Sequence, residues 1–126
     1  MKKFFTALLM VTLASLAPAA DAPAPAPRWH VVINGAATSD GQMKFLVTPH
    51  EGDAITVKAD IKSGRGELFM TRDLAEAFKG QLPKKRFNSE SVGGKFLVKA
   101  GPGEGDFALE LVESTVAGSR VHVNAN

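Results

Sequence analysis

Between Trp29 and Lys62 apolar and polar residues alternate with a period of two. Trp29, Val31 and Ile33 alternate with His30, Val32 and Asn34, and Met43, Phe45 and Val47 with Lys44, Leu46 and Thr48. Ile55, Val57, Ala59 and Ile61 alternate with Thr56, Lys58, Asp60 and Lys62. Successive side chains of an extended chain point to opposite faces, so each run predicts a strand with one buried face. Asn34-Gly35, Asp40-Gly41 and Glu51-Gly52-Asp53 supply turn chemistry around them. Three consecutive antiparallel strands are the expected arrangement.

The period changes after Ser63. At about 100° per residue, Leu68, Met70, Leu74, Ala75, Ala77, Phe78 and Leu82 share one half of a helical circle. Arg72, Asp73, Glu76 and Lys79 share the other, and only Phe69 is out of place. A helix over 67–82 is predicted, with Gly80 as a left-handed stop and Pro83 beyond it. Arg72 and Glu76 have the i,i+4 spacing of an ion pair. Residues 87–91 and 95–100 flank Val92-Gly93-Gly94 and predict a hairpin whose glycines supply the positive φ of the turn. Phe107, Leu109 and Leu111 then alternate with Ala108, Glu110 and Val112, and 120–123 form a last short strand. The expected class is α+β: a mainly antiparallel sheet of six to seven strands, with one amphipathic helix packed on one face.

One helix covers only part of such a sheet. Val32, Leu46, Leu97 and Val112 fall on the outward side of their strands. Either the sheet coils until both faces are buried, or this apolar surface is left for a partner.

The N-terminus changes the picture of charge. Lys2 and Lys3 precede an apolar run from Phe4 to Leu16, and Ala17 and Ala19 then occupy the −3 and −1 positions of an A-x-A site. This is the layout of a cleaved secretory signal peptide, and the run is too short to span a bilayer. The expected organisation is a signal peptide over 1–19, a stiff Pro/Ala spacer over 20–27 and one globular domain over 28–126. Alternating proline in the spacer disfavours helix and ladder pairing. Loss of Lys2 and Lys3 lowers the 15 basic residues by two and balances the 13 acidic ones, which argues against nucleic acid as a partner. The absence of cysteine excludes disulfides, thiolate metal sites and a cysteine nucleophile. The expected location is periplasmic or secreted.

Candidate chemistry is sparse. Gly64, Arg65 and Gly66 stand where a helix begins and are candidates for holding an anion, although neither phosphate-loop glycine pattern is present. Lys84, Lys85 and Arg86 form the only charge cluster and, with Leu46 and Leu97, are the candidate partner-binding residues. His30 and His122 lie on the end strands and share a face if those strands pair, but no metal-ligand spacing accompanies them. The loop Gly101-Pro102-Gly103-Glu104-Gly105-Asp106 departs from calcium-binding glycine repeats at Pro102 and Glu104 and occurs once. No serine lies in a nucleophile elbow, so no catalytic residue is assigned and no cofactor or metal is expected.

The elements ITVKADIKSG, TRDLAEAF and RFNSESVGGKFLVKAG resemble, in order and pattern over about half of the chain, a strand-helix-hairpin module of contractile phage tail and sheath-type proteins. The resemblance implies a structural or interaction module without catalytic residues. The functional expectation is an exported, non-catalytic domain that binds a partner protein, or itself, through a sheet edge or an uncovered sheet face. The alternative is a small-ligand binder with a cleft lined by Phe45, Phe78 and Phe96. A small hydrolase comes third.

Overall fold

The computed structural model describes residues 23–125. The signal-peptide reading over 1–19 and the first residues of the spacer lie outside them. Seven strands and one helix follow in the order β1 (Arg28–Asn34), β2 (Gly41–Thr48), β3 (Ile55–Ile61), α1 (Glu67–Gln81), β4 (Phe87–Val92), β5 (Lys95–Ala100), β6 (Ala108–Ser114) and β7 (Arg120–Ala125). The class is α+β and the pairing throughout is antiparallel.

The expected single sheet is corrected to two. One has four strands in the order β4-β5-β1-β7, the other three in the order β3-β2-β6. The strand β1 therefore does not pair with β2, as three consecutive strands would require, but with β5 and β7. The apolar faces explain why: Trp29, Val31 and Ile33 of β1 and Met43, Phe45 and Val47 of β2 are all buried in one core. Sheets stacked face to face bury both sets at once, whereas strands side by side in one sheet would need another layer to cover them.

Four connections carry the chain between the sheets, β1–β2, β3–α1–β4, β5–β6 and β6–β7, and two of them meet. The β1–β2 loop meets the β6–β7 loop where Thr38 N–H donates to the Ala117 carbonyl (2.8 Å) and Ala117 N–H donates to Ser39 Oγ (3.0 Å). Only glycine fits the closest point. Gly35 and Gly118 have φ of 91° and 89°, and a Cβ on Gly35 would collide with the Gly118 carbonyl oxygen.

The helix contacts β3 of one sheet and β1, β4 and β5 of the other. Met70, Leu74 and Phe78 are fully buried. The Phe78 ring meets Phe45 of β2 edge-on at 5.3 Å and Phe96 of β5 at 4.6 Å, so one helical side chain joins both sheets. Leu68 was expected on this face but is 49% exposed, as is Phe69. Gly80 does not stop the helix, which runs to Gln81 with Leu82 as C-cap. Arg72 lies over the Phe69 ring at 5.8 Å.

The end of the Pro/Ala segment is tied down rather than left clear of the ladder. Ala26 and Phe107 exchange two backbone hydrogen bonds of 2.9 Å, and Trp29 Nε1 donates to the Phe107 carbonyl at 2.8 Å. Phe107 also packs edge-on against Phe87 at 5.2 Å, which makes it a joint between the sheets.

Candidate functional site

Among the described residues, no strand pairs with the outer side of the edge strand β4. A two-residue turn, Gly93-Gly94, closes the β4–β5 hairpin, and Val92 is opposite Lys95. The pair that flanks such a turn exchanges backbone hydrogen bonds, and hydrogen-bonded and open pairs then alternate along the ladder. Val92, Glu90 and Asn88 therefore bond to β5, while the N–H and C=O groups of Ser89 and Ser91 point away from the sheet. The parity is supported at the far end, where Ala100, opposite Phe87, gives its N–H to Pro27 on the other side.

A groove of about 510 Å³ runs beside this edge, between β4 and the last turn of α1. Its floor is Phe78, Leu82, Phe87 and Ser89, all buried, and its rim carries Glu76, Lys79, Lys84 and Asn88. The helix puts Phe78 and Leu82 on its buried face one turn apart, and the extended C-cap at Leu82 turns the chain so that 83–86 close one end. Two lysines and one glutamate share its rim.

The candidate cations separate. Lys84 and Lys85 are exposed, and Lys84 lines the groove. Arg86 belongs to the fold: its Nε donates to Glu104 Oε1 (3.1 Å), its Nη2 donates to the Glu51 carbonyl (2.8 Å), and its guanidinium lies 5.8 Å from the Phe87 ring centre. These bonds tie the 50–53 and 101–106 loops together beside a small polar cavity of about 140 Å³ lined by His50, Glu51, Gly103, Glu104 and Gly105. Leu46 and Leu97 are not brought to this region or to each other. Leu46 is on the outward face of β2 and Leu97 on that of β5, in different sheets whose inner faces share the core, and both are half-buried.

The anion candidates have partners within the chain. Gly64 N–H donates to the Ala37 carbonyl (2.8 Å) and Arg65 N–H to that of Lys62 (3.3 Å). The Arg65 guanidinium makes two hydrogen bonds to Asp73, 3.1 and 2.8 Å, and its pKa is raised by these bonds and by the Asp73 charge against a smaller opposing effect of burial. The helix N-cap is Gly66, without a side-chain cap bond, and Glu67 turns back to accept the Gly35 N–H at 2.6 Å.

His30 and His122 share the outer face of paired strands, since His30 is opposite Asn124 and Val32 opposite His122. Among the described residues no group of three or more His, Cys, Asp or Glu side chains is placed to hold a metal ion. Phe45, Phe78 and Phe96 pack on one another in the core instead of lining a cleft. Among the described residues no helix is long and apolar enough to cross a membrane.

Sequence reading missed Lys79, Leu82, Phe87, Ser89 and Ser91 as members of one site. The available signal was the polar run Asn88-Ser89-Glu90-Ser91, which is poor in β-branched residues and suits an edge. No family model matches the chain, and no curated protein matches it.

Proposed function

We propose that this chain is an exported, non-catalytic interaction domain that takes an extended segment of a partner protein as an added strand on β4. One observation carries the reading: outward backbone groups at Ser89 and Ser91 lie beside the roughly 510 Å³ groove that ends at α1. An added strand gains affinity from main-chain hydrogen bonds and specificity from pockets that receive alternate side chains. The N-terminal pattern of Lys2, Lys3, the apolar run and the A-x-A site supports export.

A small ligand would use the same groove but has no need of the strand edge. Selection of random peptides against the mature domain separates the two. Peptides that bind the wild type and fail to bind Ser91→Pro support strand addition, because proline removes the outward N–H while remaining tolerable on an edge strand. Peptides or small molecules bound equally by both proteins contradict it.

A further inference from the structure

The groove also specifies what kind of segment it takes, given the strand-addition reading on which this inference rests. Paired residues of neighbouring strands place their side chains on the same face. Partner residues opposite Phe87, Ser89 and Ser91 therefore point inward, toward the buried floor of Phe78, Leu82 and Phe87 and the ammonium groups of Lys79 and Lys84. Partner residues opposite Asn88 and Glu90 point outward, onto the face where Glu90 stands opposite Leu97 and diagonal to Lys95 and Lys99.

We infer that the partner is an extended acidic segment whose inward positions alternate between apolar and acidic side chains. Lys79 and Lys84 outnumber Glu76 at the rim, and exposed Lys85 follows directly, so a carboxylate entering from the helix side is attracted.

The same geometry disfavours a second copy as occupant. The outward groups are those of the serines, so a two-fold pairing of β4 centred between Ser89 and Ser91 sets Glu90 against its own counterpart. Registers centred on either serine leave the lysines of the groove without an acidic partner.

The test uses two synthetic peptides of about six residues. Both carry valine at alternate inward positions and threonine outward; one has glutamate at the remaining inward position and the other lysine. The glutamate peptide is expected to bind about tenfold tighter at low salt, the difference shrinking as salt screens the rim. The order reverses in Lys79→Glu/Lys84→Glu, whose sites are exposed and leave the core intact. N-methylation of alternate peptide amides removes binding without altering the protein, which keeps the test valid if Ser91→Pro fails to fold. Equal binding of both peptides, lost on N-methylation, overturns the acidic class and leaves strand addition standing. Binding insensitive to N-methylation, or no binding of either peptide, overturns both. A dimer by native mass spectrometry that Ser91→Pro dissolves assigns the edge to a second copy and overturns the acidic segment.

Discussion

The side-chain amide of Gln81 makes to Lys58 both hydrogen bonds that a neighbouring strand would make: Lys58 N–H donates to Gln81 Oε1 at 2.9 Å, and Gln81 Nε2 donates to the Lys58 carbonyl at 2.7 Å. Lys58 is central in β3, an edge of the three-stranded sheet. The final residue of α1 thus occupies one edge, while on the helix's other side no strand among the described residues pairs with the outer edge of β4. Exposed edges template unwanted pairing, and a side-chain amide is one way to blunt them.

Gln81→Ala is expected to lower unfolding stability by about 1 kcal/mol, since water replaces two exposed hydrogen bonds. It also frees Lys58 for pairing with other chains. Urea denaturation measures the first effect, and concentration-dependent size-exclusion chromatography the second. Gln81→Glu keeps the acceptor and loses the donor, and falls between wild type and Gln81→Ala in both measurements.

Phe78 is the contact through which the helix holds both sheets together. Phe78→Ala should cost about 3–5 kcal/mol, a large share of the roughly 5–15 kcal/mol by which domains are stable. Phe78→Leu conserves more volume and should cost much less. A denaturant midpoint for Phe78→Ala close to that of Phe78→Leu would show that the ring does not bridge the sheets.

Asp73 decides whether Arg65 is available to an anion. In the wild type the guanidinium is held by two hydrogen bonds, so inorganic phosphate should raise the melting temperature no more than chloride at equal ionic strength. In Asp73→Asn the charge of Arg65 is no longer matched, and a phosphate-specific rise is expected by linkage. A phosphate-specific rise in the wild type that Arg65→Ala removes would restore the 64–66 loop as an anion site.

The elements were legible in the sequence because burial imposes its period directly: alternation at Trp29, Val31 and Ile33 and at Ile55, Val57 and Ala59, and the helical spacing of Met70, Leu74 and Phe78. Sheet membership was not. A strand with one apolar face shows the same alternation whether its neighbour lies beside it or across the core, and the residues between Asn34 and Gly41 can close a hairpin or cross between layers. Gly80 read as a stop by its backbone freedom, but Gln81 bonds to Lys58 and Leu82 is buried, and both hold the helix through the glycine.

The candidate site was half legible for the same reason. The run Lys84-Lys85-Arg86 was visible as charge, yet the engagement of Arg86 depends on Glu104 and the Glu51 carbonyl, remote in sequence. That β4 is an edge follows from strand order, which no local pattern encodes.

The central claim concerns two backbone amides, and their hydrogen exchange tests it most directly. In the isolated monomer Ser89 and Ser91 should exchange much faster than Glu90 between them, because only Glu90 is bonded to β5. Saturation with the glutamate-bearing peptide should slow both serines by at least about tenfold and leave Lys58 unchanged. Serine amides as protected as Glu90 in the free monomer, or unchanged in the peptide-saturated protein, would contradict strand addition at β4.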